Sequence, residues 1–362
     1  MHDRELVFAD SVPLGGPIAV VPSGESTLLI ADRSWESILM VDRSGRLLRK
    51  VGRAGDGPGE FRMIWRIGAS EGRFWVVDVR TSRISVFDEG GDFEHTFRGD
   101  GDAVGIDGFT PLSLRAGVGL TGVTMKPDPQ LGVWWVPLAG TDWGVAVEMT
   151  RITSVDRILK VDIPPDGAVN MRWPFSSSDM VVTAPDGGRT VIIRRPRPGS
   201  PNSGWIEVTT FEGGVRGDST SLQYLPETFR RSDLEAWLRD LRAPRELAAA
   251  GAYPSEEAAR EAFQSAAVAP DYHPPIVNAG RGIEEQGVLI DSDGRLWLRR
   301  DRAEPASTWW LLDDSLRNKQ TVLVPSDVRI LAATGELVWG VTYDDLDLPT
   351  ISQYRMTDAG GQ

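Results

Sequence analysis

Two stretches of this 362-residue chain copy one another at a fixed offset, and that offset limits the possible folds more than any other feature. STLLIADRSWESILMVDRSGRLLRKVG (26–52) aligns with GRFWVVDVRTSRISVFDEGGDFEHTFRG (72–99), and Asp32 and Asp78 each end an apolar run, 46 residues apart. In each copy a second Asp follows ten residues on (Asp42, Asp88), then a Gly three further (Gly45, Gly91). Each copy reads as three short strands: an apolar run, a polar turn, a second apolar run, a tight Asp-x-x-Gly turn, and a third strand. Glycine suits the positive φ of such a turn, and aspartate accepts hydrogen bonds from the backbone N–H groups just after it. A period in the forties with three or four strands per unit marks a β-propeller blade, whereas solenoid repeats are shorter or helical.

Weaker copies continue downstream. MVVTAPDGGRTVIIRR (180–195) with WIEVTTFEGG (205–214) reads as a fourth blade, GVLIDSDGRLWLRR (287–300) with Trp309 to Asp313 as a fifth, and GELVWGVTYDD (335–345) with TISQYRM (350–356) as the last. The stretch 109–162 is the most degenerate and reads as blade three with a long inner excursion; a seventh blade would have to hide within 100–170. The expected fold is therefore all-β, one six-bladed propeller domain over 1–362, with seven blades as the alternative. The last blade lacks an outermost strand, and Glu5 to Phe8 is expected to supply it, closing the ring and removing exposed sheet edges. Residues 226–268 lose β character. Ser232 with Glu235 three residues on forms a capping box, and Pro254-Ser255 is followed by acidic residues that suit a helix dipole. A two-helix insertion between blades four and five is expected there, with Leu234, Trp237, Leu238 and Leu241 on one face. That face either packs against the propeller or serves as a lid or docking element.

Composition agrees with many short strands: 13 Trp, 39 Gly and 24 Pro suit large rings packed between turn-punctuated strands. The net charge of −13 argues against nucleic acid held on a broad basic surface. A local basic patch has one candidate in Arg194, Arg195 and Arg197, which read as a solvated strand end. There is no Cys, which excludes disulfides, thiolate metal sites and cysteine nucleophiles. No run approaches the roughly 18 apolar residues of a membrane span. Met1 to Glu5 do not form a basic segment leading into an apolar one.

The connector GRAGDGPGEF (52–61), followed by an inner strand and GRFWVVDVRTSRISVFDEGG (72–91), resembles NHL-type repeats and the bacterial six-bladed propellers related to them. Those proteins carry a Gly-rich Pro-Gly-Glu/Gln-Phe connector and an Asp-x-x-x-x-Arg element, which Asp78 and Arg83 match; Ser37 stands where the Arg would follow Asp32. The resemblance covers 14–99 specifically and 270–356 more loosely. It implies the fold, and it implies export, with a leader preceding the sequence; the alternative is a cytoplasmic protein. Activity does not follow, because such propellers serve as binding platforms, lyases and lactonases.

The chemistry-bearing motifs are sparse. GRAGDGPGEF lacks the Gly-Lys-Ser/Thr of a phosphate loop and reads as an interblade turn. Asp291-Ser292-Asp293-Gly294 and Asp344-Asp345-Leu346-Asp347 offer oxygen ligands to a cation such as calcium, but their spacing is that of turns, and no cofactor is expected. With only His2, His95 and His273 present, a His-rich zinc site is excluded, and no Gly-x-Ser-x-Gly elbow is found. What remains is the channel face. Arg62 and Trp65 in blade two, Arg172 and Trp173 entering blade four, and Tyr272 and His273 entering blade five are the candidate ligand-binding residues. Aromatic rings with cationic neighbours suit a protein, peptide or glycan partner, and packing between blades is the bland alternative. The expected function is a non-catalytic binding platform; the competing class is a metal-assisted lactonase- or lyase-like enzyme at the channel mouth.

Overall fold

A computed structural model of the chain describes residues 3–6, 14–24, 26–124, 130–139, 142–153, 158–164, 167–172, 179–195, 204–223, 235, 238, 241, 243–266, 287–300, 305–317 and 319–357. It is a six-bladed β-propeller. The first strand, β1 (Asp3–Leu6), belongs to the last blade, so the chain closes its own ring. Blade one holds β2 (Pro17–Ser23), β3 (Thr27–Asp32), β4 (Ser37–Asp42) and β5 (Leu47–Val51), and blade two holds β6 (Ile64–Ser70), β7 (Arg73–Asp78), β8 (Arg83–Asp88) and β9 (Phe93–Arg98). A single helical turn, α1 (Gly101–Val104), leads into blade three: β10 (Phe109–Arg115), β11 (Gly119–Thr124), β12 (Gln130–Ala139) and β14 (Val147–Thr153), with the short β13 (Asp142–Trp143) folded onto β12. The hairpin β15 (Ile158–Ile163) and β16 (Gly167–Arg172) stands apart as a two-stranded sheet.

Blade four holds β17 (Met180–Thr183), β18 (Arg189–Arg194), β19 (Trp205–Glu212) and β20 (Val215–Gln223). After two helices, α2 (Ala243–Ala249) and α3 (Glu256–Ala266), blade five follows with β21 (Val288–Ile290), β22 (Leu296–Arg299), β23 (Ala306–Leu312) and β24 (Lys319–Pro325). Blade six is β25 (Arg329–Thr334), β26 (Leu337–Tyr343) and β27 (Pro349–Arg355), completed by β1, whose Asp3 pairs with Arg355 and Leu6 with Ser352. The closing strand thus runs two residues earlier than the sequence places it. The excursion expected inside blade three is instead the hairpin β15–β16, which has too few strands to be a seventh blade.

Middle strands are covered on both sides because each blade is sandwiched between two others. Strand β7 is buried from Phe74 to Asp78 with no polar alternation. The apolar cores accordingly lie between blades. Val20, Ile30 and Val41 of blade one meet Trp339, Val341 and Ile351 of blade six. Ile38 and Val51 of blade one meet Phe74 and Phe87 of blade two on the other side. Similar cores join blades two and three, three and four, four and five, and five and six. A core at every junction, including six to one, is what a closed ring requires.

The two insertions share a core of their own. Val161 on β15 is buried with Leu238, Leu241 and Phe263, and the Tyr253 hydroxyl donates to the carbonyl of Asp162. Ser255 caps α3, its hydroxyl accepting from the Ala258 N–H at 3.1 Å, as the sequence motif implies. Ser232, Leu234 and Trp237 lie outside the described residues. Asp179 holds the neck of the hairpin excursion: its carboxylate accepts from the N–H of Thr153 (2.8 Å) and of Arg195 (3.1 Å). Burial pushes that carboxyl above the usual aspartate range. Among the described residues no helix is long and apolar enough to cross a membrane.

Candidate functional site

The repeated Asp at the end of each second strand explains how the connector face is built. Asp32, fully buried, accepts from the N–H groups of Gly15 (2.8 Å), Gly16 (3.1 Å) and Trp35 (3.2 Å). Asp78, 46 residues on, accepts from Arg62 (2.7 Å), Arg80 (3.0 Å) and Thr81 (3.2 Å). In both blades one carboxylate ties the connector entering the innermost strand to the turn between the second and third strands. Charged acceptors make the stronger backbone hydrogen bonds, so these turns are held firmly. The second repeated Asp has a different task. Asp42 accepts from the Ser44 and Arg46 N–H groups in the next hairpin, where Gly45 takes φ +84°.

The connector 52–61 folds on itself as an interblade turn. Phe61 spans it through its backbone, donating to the Arg53 carbonyl and accepting from the Gly55 N–H, while the Glu60 carboxylate accepts from the Gly57 N–H. Gly52 adopts φ +79°, and a Cβ there would sit 2.2 Å from the buried Phe61 ring. Arg83, the matched residue of the Asp-x-x-x-x-Arg element, reaches back to donate to the Asp56 carbonyl at 2.7 Å.

Between this connector and the turns of blades one and two lies a cleft of about 400 Å³, lined by Glu36, Asp56, Phe61, Arg62, Arg80 and Thr81. Arg62 and Asp56 form an ion pair on one wall, Nε to Oδ1 at 2.9 Å. Arg80 is exposed, and its guanidinium makes no hydrogen bond or ion pair among the described residues. Glu36 holds a left-handed backbone (φ 44°), the conformation Ser82 repeats in blade two, and its carboxylate accepts from the Ile64 N–H at 3.2 Å. Trp35 and Met63, next in sequence to the lining residues Glu36 and Arg62, are exposed at 47% and 37%.

Burial is the main influence on the Glu36 carboxyl and pushes it above the usual glutamate range; the Asp78 charge adds to this, while the Ile64 N–H and Arg33 oppose it. A raised folded-state value means the ionised form is disfavoured, so this group withdraws stability as pH rises through that value. Glu36→Gln keeps an acceptor for Ile64 and removes the charge. The variant is expected to be at least as stable as the parent near pH 7, with the advantage gone near pH 4, where the parent carboxyl is largely neutral as well. A lower urea midpoint for the variant near pH 7 would contradict this.

Of the six candidate residues, Arg62 lines the cleft, and Trp65 does not. Trp65 packs its ring against the cores joining blades two to three and three to four, and the Arg66 guanidinium lies 5.2 Å from its centroid. Arg172 ends β16 and pairs with Ile158, on the hairpin rather than on an innermost strand. Trp173, Tyr272 and His273 lie outside the described residues. Two members of the basic cluster differ from their sequence reading, Arg195 being 4% exposed and Arg194 donating to the Thr150 hydroxyl at 2.7 Å, while Arg197 lies outside the described residues. Asp291 is buried within its turn, accepting from the N–H groups of Asp293 and Arg295 and from the Trp297 indole. Asp344 accepts from Leu346 and Leu348 in the same way. Among the described residues no group of three or more His, Asp or Glu is placed to hold a metal ion.

The cleft residues Arg80, Thr81 and Glu36 carry no sequence signal of function; each sits in the turn that follows a structural Asp. The spacing from Asp32 and Asp78 would have located those turns, but not the space between them.

A family model described as a six-bladed β-propeller, DUF5128, matches residues 5–104. No curated protein matches the chain. Among solved structures, a member of the DUF4221 family from Bacteroides vulgatus is 9% identical with a TM-score of 0.46, covering 97% of each chain. A streptogramin B lyase is 10% identical with a TM-score of 0.40, covering 98% of this chain and 87% of that one. A puromycin hydrolase is 13% identical with a TM-score of 0.43, covering 98% of this chain and 55% of that one.

Proposed function

We propose that this propeller is a binding platform that recognises a protein, peptide or glycan partner on its connector face, at the cleft between blades one and two. The observation that carries this reading is the cleft itself: a groove lined by the Arg62–Asp56 pair and by Arg80, whose guanidinium makes no hydrogen bond or ion pair among the described residues, with Trp35 and Met63, next in sequence to lining residues, exposed. Exposed aromatic and thioether side chains beside an arginine are the composition that binding surfaces favour. The groove is built by backbone-capping carboxylates that hold its walls before any partner arrives, which lowers the ordering cost of association.

Peptide and glycan arrays probed with the native sequence and with Arg80→Glu test the proposal. Ligands retained by the native protein are expected to bind at least tenfold more weakly to Arg80→Glu. They should bind unchanged to Arg216→Glu, a control on the outer strand of blade four. Equal binding by Arg80→Glu would move the site elsewhere, and no retained ligand on either array would count against the platform.

A further inference from the structure

The innermost strand of blade two carries a cation, Arg66, that pairs with no anion among the described residues. Strand β6 has a bulge near its start, where Ile64 faces Asp78 and Arg66 faces Val77. From there the register is regular, so Arg66, Gly68 and Ser70 lie on one face of the strand, together with Trp75 directly opposite Gly68. That face is turned towards blade three, in whose shared core Trp65 and Trp75 lie. The backbone of blade four comes here too. The Ala69 N–H donates to the Pro185 carbonyl at 3.0 Å, and a Cβ on Gly68 would lie 2.0 Å from that oxygen and 2.2 Å from the Trp75 ring. The indole therefore lies over Gly68, between Arg66 and Ser70, with Cε2 (the ring carbon that bears the nitrogen) against the strand.

Three hydrogen-bond donors on this one face are buried without a partner among the described residues: Arg66 Nε, Ser70 Oγ and Trp75 Nε1. Arg66 makes no ion pair or hydrogen bond there at all; its sole polar contact is the Trp65 ring. The Pro185 carbonyl that reaches this face accepts from Ala69. The arginine keeps some surface, yet it sits deep enough that burial alone pulls its pKa down to about 10, so it is still charged at neutral pH. A half-buried cation with no anion among the described residues, beside buried donors without acceptors there, is a costly arrangement, and native structures meet such donors with a ligand, an ion or ordered water.

We propose that Arg66, supported by the Trp75 indole N–H and flanked by the Ser70 hydroxyl, forms an oxyanion site on the channel wall between blades two and three. Its ligand is a carboxylate or phosphate group. The planar guanidinium fork matches two oxygens of such a group, and the indole is a donor only, so both select an acceptor. The Trp65 ring behind the guanidinium fixes its plane. This site is separate from the connector-face cleft and uses none of its lining residues.

Titration calorimetry of the full chain with acetate and with inorganic phosphate, at low ionic strength, tests it. The native sequence is expected to show saturable binding to at least one of the two probes, and the arm that binds distinguishes carboxylate from phosphate. Arg66→Met should weaken that binding at least tenfold, Arg66→Lys by less, and Trp75→Phe several-fold, while Arg216→Glu, on the outer strand of blade four, leaves it unchanged. The bound anion should also raise the melting temperature of the native protein and not that of Arg66→Met. If Arg66→Met fails to fold, Arg66→Lys and Trp75→Phe decide the matter. Absence of saturable binding to either probe, or native affinity in both Arg66 and Trp75 variants, overturns the site and leaves ordered water as the acceptor of these donors.

Discussion

Trp297→Ala is expected to lower stability by about 5 kcal/mol, the largest single-residue effect anticipated for this chain. The indole is fully buried in the core between blades five and six and meets Trp309 edge-on at 6.4 Å between centroids. Truncating a buried Trp removes transfer energy and leaves a cavity, which together cost about 3–5 kcal/mol. A further penalty falls on Asp291, whose buried carboxylate accepts from the Trp297 N–H at 2.9 Å and would lose that donor. Trp297→Phe separates the two contributions, because it keeps most of the ring volume and loses the N–H; about 1–3 kcal/mol is expected from it. Urea unfolding followed by far-ultraviolet circular dichroism is the measurement. A cost below about 2 kcal/mol for Trp297→Ala would mean that blades five and six close over the gap.

Asp78→Ala is the second large effect, about 3 kcal/mol, and it reaches the connector face as well as the fold. The side chain is 1% exposed and accepts from three backbone N–H groups, those of Arg62, Arg80 and Thr81. Removing it leaves buried donors unsatisfied and releases both walls of the cleft at once. The variant should therefore lose affinity for any cleft ligand together with its lowered urea midpoint. Asp88→Ala, in the more open hairpin turn where the carboxylate accepts from Asp92, should cost under about 1 kcal/mol and leave the cleft intact. Similar midpoints for the two variants would refute the capping role assigned to the first Asp of the repeat.

The repeat was legible because its physics is local. Asp, Gly and the apolar runs at fixed spacing determine where strands end and turns begin, and a strand-rich unit of that length has few ways to bury both faces other than stacking as blades. Blades one and two carry the pattern intact. In blade three the pattern fades, and β12, ten residues long with the β13 fold-back, departs from the unit length. Nothing in 158–172 marks it as a separate hairpin, since the buried Val161 finds its partners in Leu241 and Phe263, 80 and 102 residues away.

The candidate site divides in the same way. Arg62 was reachable from its place just after the connector motif, because the connector's geometry is written in its own glycines and Glu60. Trp65 was named for its aromatic ring, but whether a ring lines a surface or fills a junction depends on the neighbouring blade, and here blades three and four cover it. Arg66 and Arg80 look like any other arginine in the chain. One is distinguished by the want of a buried acceptor around it and the other by the open groove beside it. The sequence by itself determined the propeller, its period and its turn chemistry, since those follow from propensities and hydrogen bonds within a few residues. Only the tertiary structure decided which charges are paired and which spaces remain open, because those depend on what distant strands bring into contact.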